Sequence, residues 1–269
     1  IILIDYLTLK PLMAITFIIL GCGSSMGVPR ADGYYGNCNL KNKKNHRTRC
    51  SALIKFNKQN FLIDTSPDLR QQLLKNKIKN IDKVFYTHLH ADQTHGINDL
   101  RPFFLIKKKQ IPIFGDLKTS KYLYSTFKYC FKSSQGYPST LKINILKNRN
   151  LFKHQNKKIL IESFPVKHGN IDSLCYLINK KLAYASDISL FYKKDYRRLM
   201  KLDFLIIDCL WYKKHSAHFN LSQVLELVNF LKPKKTILTN MHSDLDYDHL
   251  KKILPRNIIP AYDGMTVSL

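Results

Sequence analysis

The sequence predicts a single α/β domain, and three observations support this prediction. A chain of 269 residues with 45% hydrophobic and 12% aromatic residues is long and apolar enough to form a folded globular domain. Short β-rich runs alternate with turns and with helical stretches. Polar clusters follow several of the β-rich runs directly. Because α/β scaffolds build their sites where strands end, we expect one functional rim.

Hydrophobic periodicity and turn residues define the elements in chain order. The predicted strands are residues 15–20, 51–56, 61–63, 83–86, 111–114, 143–146, 159–164, 173–178, 181–186, 204–208 and 236–239. The predicted helices are residues 68–75, 118–131, 188–201 and 221–231, the last with Asn220 or Ser222 as its cap. No internal repeat and no low-complexity linker interrupts the pattern, so one domain over residues 13–269 accounts for it.

The first twenty residues are apolar, but they do not fit a membrane anchor. Asp5, Lys10 and Pro11 interrupt the apolar run well short of the roughly 20 residues that a spanning helix needs. A basic region and a small-residue cleavage site are both missing before "GCGSS", which disfavours a signal peptide. Met13 and Ala14 directly precede the strand "ITFIIL". We interpret residues 1–12 as an N-terminal extension or a translation-start artefact, and we expect a cytoplasmic protein with no membrane partner.

The net charge of +25, from 44 Lys and Arg against 19 Asp and Glu, would attract anionic substrates and nucleic acids. However, the lysines are spread along the chain and accompany abundant Asn and Ile, which indicates a composition bias more than a nucleic-acid patch. Charge therefore gives only weak support for an anionic ligand.

The cysteines form no CxxC pair, so a disulfide scaffold is disfavoured and a reducing compartment fits best. They are Cys22, Cys38, Cys50, Cys130, Cys175 and Cys209. The first three could meet around a structural metal, but ordinary buried thiols are the favoured interpretation.

The stretch "FYTHLHADQTHGINDLR" has the spacing of metal ligands. His88 and His90, at i and i+2 on an extended segment, point the same way and can bind one ion. Asp92 adds a carboxylate suited to a second ion or to a bridging position. A lone His-x-His pair would need no ion, but further His and Asp residues at later strand ends favour a metal centre.

These motifs resemble those of the metallo-β-lactamase superfamily, whose mark is HxHxDH followed at intervals by His, Asp and His. The resemblance runs from about residue 15 to the C-terminus and implies a four-layer αββα sandwich of two mixed β-sheets. The matching positions are Asp64 as a structural aspartate, then His88, His90, Asp92, His168, Asp187 and His242. The resemblance implies two divalent ions, zinc or manganese. His88, His90 and His168 would bind one, Asp92 and His242 the other, with Asp187 as the bridge.

Each of these residues also has a simpler interpretation. His168 could be a loop histidine and His242 a capping or surface one. Asp187 could cap the predicted helix that follows it, and Asp64 could form a turn. The order of the residues and their placement at strand ends favour the metal centre.

Gln93 departs from the family pattern, which has at this position the histidine that binds the second ion. An amide oxygen is a harder and weaker ligand than imidazole, so we expect the second site to prefer manganese or magnesium over zinc, or to bind its ion loosely. If "ADQTHG" begins a helix, His95 lies on the same face as Asp92. His95 could ligate the ion, orient Asp92 or contact substrate, and the last two roles are favoured.

Other segments look like the branch that contains phosphoribosyl cyclic phosphodiesterases: "GCGSSMGVPR", "HGINDLR", "HSAHFNLSQVLEL" and "AYDGM". The resemblance implies hydrolysis of a small cyclic phosphate or nucleotide-like substrate by metal-activated hydroxide, with Asp92 and Asp187 as catalytic residues. His218 would protonate the leaving ribose oxygen or hold the phosphate, with His215 as a rival for that role. Arg30 and Arg101 are candidate phosphate contacts, with surface salt bridges as the alternative. The spread of the cysteines departs from the tight cluster of the carbon–phosphorus lyase pathway enzymes, which leaves the substrate open.

Two alternative functions stay open. A tRNA 3′-end processing endonuclease of the same superfamily would agree with the basic charge, but the chain has no glycine-rich insertion like the tRNA-binding arm of those enzymes. A catalytically weakened nucleotide-binding protein would follow if Gln93 had disabled hydrolysis, although the other ligands are all present. Lactamase activity is disfavoured without export. The expected partner is a small phosphorylated substrate or nucleotide, with nucleic acid as the alternative. A homodimer is allowed, but no motif decides it.

Overall fold

The computed structural model describes residues 15–269, so the proposed extension at residues 1–12 lies outside the described residues. The strands are Thr16–Gly21 (β1), Ser51–Phe56 (β2), Gln59–Ile63 (β3), Lys83–Phe85 (β4), Ile111–Gly115 (β5), Leu141–Ile145 (β6), Arg149–His154 (β7), Lys157–His168 (β8), Ile171–Ile178 (β9), Leu182–Ala185 (β10), Phe204–Asp208 (β11), Lys235–Thr239 (β12), Ile258–Pro260 (β13) and Met265–Ser268 (β14). The α-helices are Leu69–Lys75 (α1), Ala91–Thr94 (α2), Arg101–Lys107 (α3), Leu117–Thr126 (α4), Lys128–Phe131 (α5), Tyr196–Leu199 (α6), Leu221–Leu231 (α7) and Tyr247–Ile253 (α8). None of these described helices has the length and apolar character needed to cross a bilayer.

The strands form two mixed, seven-stranded sheets. The first has the order β14-β1-β2-β3-β4-β5-β6 and the second β13-β12-β11-β10-β9-β8-β7. The run from β3 to β6 is parallel, and so is the run from β10 to β13. Since parallel strands present their carboxyl ends at the same edge, each sheet gathers several loops at one rim.

Strand β1 shows how the layers are packed. Phe17 and Ile19 belong to the core between the two sheets, whereas Ile18 and Leu20 pack with Leu69 on α1. This alternation follows from the two-residue period of a strand, and each fully buried side chain of this kind stabilises the fold by roughly 1.5–3 kcal/mol.

Helices cover both sheets, which gives the four-layer arrangement expected from the sequence. Leu73 on α1, Phe103 on α3 and Leu123 on α4 are buried against the first sheet. Val224 and Val228 on α7 belong to the core that includes the second sheet. The described chain is therefore an α/β sandwich.

Two predicted helices differ from the structure. The prediction of a helix over residues 188–201 is wrong apart from α6, because the start of this segment bonds to the end of β8. The Ser189 N–H donates to the Lys167 carbonyl at 2.7 Å, and the Lys167 N–H donates to the Leu190 carbonyl at 3.0 Å. The helix predicted over residues 118–131 is divided into α4 and α5, since Phe127 leaves the helical conformation with φ −116° and ψ 38°.

Candidate active site

The predicted ligands meet at the edge where strands of both sheets end. His88 and His90 follow β4, His168 ends β8 and Asp187 follows β10. A cavity of about 410 Å³ opens there. It is lined by Ser24, Ser25, Met26, His90, Asp92, His168, Asp187, Leu210, Trp211, His215, Ala217, His218, Asn240 and His242.

Three imidazole rings converge beside this cavity. His88 Nε2 lies 3.0 Å from His90 Nδ1, and His168 Nε2 lies 3.3 Å from the same atom. Tetrahedral ligation of zinc by imidazoles at 2.0–2.1 Å requires ligand nitrogens about 3.3 Å apart. The spacing and the chemistry of this donor set therefore fit a divalent metal ion.

Hydrogen bonds orient two of the three rings, those of His88 and His168. Asp64 accepts hydrogen bonds from the Thr87 N–H and hydroxyl, both at 2.8 Å, and the Thr87 oxygen lies 3.0 Å from His88 Nδ1. His168 Nδ1 donates to the Ala217 carbonyl at 2.8 Å. Burial lowers the pKa of His88 to about 3, so its ring is neutral at physiological pH. A neutral ring held like that of His88 is suited to binding metal through Nε2, whereas His90 presents its Nδ1 to the other two rings.

The loop after β3 is shaped to support the metal-binding motif. Asp64 has a positive φ of 61°, which L-residues rarely adopt. The Thr65 N–H donates to the Gln93 carbonyl, and the Gly96 N–H donates to the Thr65 carbonyl, both at 2.8 Å. A Cβ on Gly96 would lie 2.0 Å from the Ser66 carbonyl oxygen. Glycine is therefore required at position 96 for this close approach.

The buried carboxylates accept hydrogen bonds from neutral donors. Asp187 accepts from the Ser186 hydroxyl at 2.7 Å and from the Asn240 and Gln93 amides, each at 3.2 Å. Burial raises the pKa of Asp92 to about 6, and the nearby Asp187 charge adds to this increase. Asp187 also forms a compact group with His168 and His218. One possible ligand atom from each of the three residues lies within 4.8 Å of the other two.

His218 is paired with Asp208, a residue that the sequence interpretation missed. The His218 Nδ1–H donates to Asp208 Oδ2 at 2.6 Å, and the Ile188 N–H donates to the same oxygen at 3.0 Å. Burial opposes protonation of His218, but the Asp208, Asp187 and Asp92 carboxylates outweigh it and raise the pKa of His218 to about 9. Burial raises the pKa of Asp208 to about 7. Asp208 ends the apolar run "FLIID", and Asp64 likewise follows an apolar run. This shared pattern could have identified Asp208.

His242 and His215 border the cavity. The His242 ring lies against Trp211 with centroids 4.9 Å apart, and its Nδ1 accepts from the Asp244 N–H at 3.3 Å. The His215 ring centroid lies 5.1 Å from that of His218. Within residues 15–269, neither histidine belongs to a group of three donor atoms lying within 4.8 Å of one another, and the same holds for Asp92.

Three other predicted residues do not line this cavity. The Arg101 guanidinium lies 5.5 Å from the Tyr137 ring centroid and lines a separate cavity of about 510 Å³. Arg30 forms an ion pair with Asp32. The exposed His95 packs its ring against Phe127, with centroids 5.3 Å apart. None of these three side chains lines the cavity beside the His and Asp cluster.

The N-terminal cysteines have separate, buried surroundings. Cys22 Sγ donates to Asp263 at 3.4 Å, and Cys50 Sγ donates to the Gly23 carbonyl at 3.4 Å. Cys38 Sγ lies 3.9 Å from an Arg47 nitrogen. All three are free and buried, as the interpretation of ordinary buried thiols predicts.

Comparison with known proteins identifies related sequences. The model of the beta-lactamase superfamily domain matches residues 59–242. An octanoyltransferase of Porphyromonas gingivalis is 28% identical over 252 residues, which cover 92% of this chain and 50% of that protein. A ribonuclease Z of Oceanobacillus iheyensis is 29% identical over 126 residues, covering 45% of this chain and 40% of that protein. The chain thus spans about half the length of these curated relatives, or less.

Among solved structures, a diphosphatase from the PhnP family has a similar architecture over nearly its full length. The two chains are 30% identical and superpose with a TM-score of 0.85, covering 96% of this chain and 98% of the diphosphatase. Both the sequence and the layered fold are therefore shared with that enzyme.

Proposed function

Because the chain belongs to the metallo-β-lactamase superfamily, we propose that it is a metal-dependent phosphodiesterase acting on a small cyclic phosphate or nucleotide-like substrate. The observation that supports this proposal best is the cavity of about 410 Å³, where a cluster of histidines and carboxylates lies beside the His218–Asp208 pair. Similarity to a diphosphatase favours phosphate chemistry over the other reactions that this fold supports.

We propose that His88, His90, His168 and Asp187 bind a divalent ion, zinc or manganese. Such an ion, when bound, lowers the pKa of a coordinated water and stabilises negative charge on a phosphate. Burial keeps His88 neutral, as a ligand must be, and Asp187 supplies negative charge beside the rings. The family resemblance alone predicts a second ion, on Asp92 and His242.

His218 is proposed as the general acid. Its pKa of about 9 keeps the ring protonated at neutral pH, and its bond to Asp208 leaves Nε2 available to the cavity. As the bond from phosphorus to the leaving ribose oxygen breaks, Nε2–H would give its proton to that oxygen. Water supplies the new oxygen on phosphorus, so the products are an alcohol and a phosphate with one ester fewer.

The test is hydrolysis of bis-p-nitrophenyl phosphate and of ribose cyclic phosphates, with zinc and manganese assayed side by side. We expect turnover by the wild type and a loss of about a thousandfold or more in Asp187→Ala, because several kcal/mol of charge stabilisation would be removed. His249→Ala, at an exposed histidine on α8, is the control and should keep full activity. Full activity in Asp187→Ala would refute the assigned role, and binding of nucleotides without turnover would favour the nucleotide-binding alternative.

Processing of tRNA 3′ ends is the second candidate, because several relatives are ribonuclease Z proteins and the net charge is +25. Cleavage of a precursor tRNA with a higher kcat/KM than any cyclic phosphate would favour this alternative. Because phosphate contacts dominate nucleic-acid affinity, that activity should also decrease steeply with salt.

A further inference from the structure

The side chain of Gln93 occupies the space between the two carboxylates of the proposed metal centre. Its Nε2 lies 3.1 Å from Asp92 Oδ2 and 3.2 Å from Asp187 Oδ2, and the residue is fully buried. An amide nitrogen carries two hydrogens, so it can donate one hydrogen bond to each carboxylate. This neutral group thereby offsets the repulsion between two buried acids without a cation between them.

The metal-ligand atoms of the three histidines are arranged differently from those of Asp92 and His242. His88, His90 and His168 form a compact group whose donor atoms lie within 4.8 Å of one another. Over residues 15–269, no such group of three includes Asp92 or His242. A second group of three, His168, Asp187 and His218, shares His168 with the first group, and its His218 is bonded to Asp208 through Nδ1. Among the described residues, the structure thus provides one compact site of three nitrogens, and no compact group at Asp92 and His242, the residues expected to bind a second ion.

His242 is also poorly oriented as a ligand. Its Nδ1 accepts a hydrogen bond from the Asp244 N–H at 3.3 Å. With the proton on Nε2, that nitrogen has no lone pair for a metal. Ligation through Nε2 needs the proton on Nδ1, where the acceptors are the more distant Ser243 Oγ at 3.4 Å and Asp244 Oδ2 at 3.6 Å.

The oxygen of the Gln93 amide does not supply the missing ligand for a second ion. Gln93 Oε1 is buried and has no hydrogen-bond partner among the described residues. Exchanging the amide oxygen and nitrogen would place Oε1 against Asp92 and Asp187, which is unfavourable for three acceptors unless a cation lies among them. A neutral carbonyl is in addition a weaker ligand for zinc than the imidazole it replaces.

We infer that this centre binds a single divalent ion, on His88, His90, His168 and Asp187, and that the Gln93 amide takes the place of a second ion by donating to the carboxylates of Asp92 and Asp187. This inference rests on the proposed metal-dependent function and concerns how many ions that function uses. It replaces the expectation of a second, weaker ion, which came from the resemblance alone.

The test is the number of ions per folded chain, which does not depend on turnover. Wild type, Gln93→His, Gln93→Glu and the control Gln71→His would be loaded with zinc or, in parallel, with manganese, then desalted and measured by native mass spectrometry and elemental analysis. Gln71 is exposed on α1, so its substitution adds a histidine away from the centre. Circular dichroism would establish that each variant is folded.

We expect about one ion per chain in the wild type and in Gln71→His, and about two in Gln93→His, because imidazole restores a lone pair beside the two carboxylates. Gln93→Glu should also rise to about two ions, since its added negative charge requires a cation there. Two ions in the wild type, or one in both Gln93 variants, would overturn the inference. A folded wild type that binds neither zinc nor manganese would instead overturn the proposed metal-dependent function itself.

Discussion

At the scale of single residues, the Asp208–His218 pair decides how the site responds to pH. Asp208 is fully buried, and its Oδ1 has no partner among the described residues, so His218 is its principal charged neighbour. The folded pKa of His218, about 9, lies above its ordinary value of 6.5. The contribution of this histidine to stability is therefore complete below about pH 6.5 and is lost as the pH rises through about 9.

Asp208→Asn should remove the charge that raises the pKa of His218. We expect the alkaline limb of the kcat profile to move from about pH 9 towards neutral pH. For a ribose phosphodiester kcat should fall about 10²–10⁴-fold, as is usual when a general acid is lost. The measurement is kcat against pH for a ribose ester and for a p-nitrophenyl ester, whose good leaving group needs little protonation. An equal loss on both esters would contradict a role in proton donation.

Asp64 is linked to His88 through Thr87. Replacing it with Ala should lower zinc affinity about 10–100-fold, because the chain of hydrogen bonds from Asp64 through Thr87 to His88 would be broken. Competition with a chromogenic chelator measures this affinity. Asp64→Gly distinguishes the loss of the carboxylate from strain in the backbone, since glycine tolerates the φ of 61° better than alanine. Both variants should lose zinc affinity alike, while the Gly variant should be the more stable. Unchanged affinity in either would refute the orienting role.

At the scale of elements, the N-terminus of α7 positions the loop that carries His218. Asn220 is the cap: its side chain accepts from the Gln223 N–H at 2.9 Å, and the Gln223 side chain accepts from the Asn220 N–H at 3.1 Å. This reciprocal pair is a capping box, and it begins two residues after His218.

Asn220→Ala should therefore lower the free energy of unfolding by about 1 kcal/mol, the usual cost of losing a polar cap. Chemical denaturation measures this change. Asn220→Ser is the control, because its hydroxyl can still accept from the helix and should restore most of the stability. Equal losses in both variants would indicate that packing of Asn220, and not its cap, stabilises the helix.

The elements predicted correctly are those whose signal is local. Strands β2 and β11 and helix α7 have the predicted bounds, because each is a continuous apolar run or an amphipathic run with a cap. The strands that were missed, β7, β13 and β14, all lie at sheet edges, where one neighbour is absent and apolar periodicity is weak. The helix predicted over residues 188–201 failed because Ser189 and Leu190 bond to Lys167, a contact between distant parts of the sequence.

At the scale of the whole molecule, the predicted family and fold are confirmed by the family match over residues 59–242 and by the architecture of the diphosphatase. Spaced His and Asp residues after apolar runs, together with the family resemblance, predicted that these strand ends share one rim, and the structure brings His88, His90, His168 and Asp187 together there. The sequence could not show that Asp208 pairs with His218, or which side chains donate to Asp187. The role of a buried acid depends on which distant side chains face it. For the same reason, spacing could not reveal that Arg101 lies in a different cavity.

The centre also connects the two sheets. His88 and His90 follow a strand of the first sheet, and His168 ends a strand of the second. Near them, the Tyr176 hydroxyl donates to the Tyr86 carbonyl at 2.6 Å, and the Leu174 N–H donates to the Thr87 carbonyl at 3.0 Å. These two hydrogen bonds already join the sheets, so an ion shared by His88, His90 and His168 would add a third connection at the same edge.

Metal loading should therefore stabilise the whole fold. An ion at 100 times its Kd adds about 2.7 kcal/mol to the free energy of unfolding, which for a chain of this size corresponds to a rise in Tm of about 5–10 °C. Differential scanning calorimetry with zinc and with a chelator measures the rise. His88→Ala should abolish it, whereas His249→Ala, which changes an exposed histidine away from the centre, should keep it. The same rise in His88→Ala as in the wild type would mean that zinc stabilises the protein elsewhere. No rise in any variant would mean that the ion does not link the sheets.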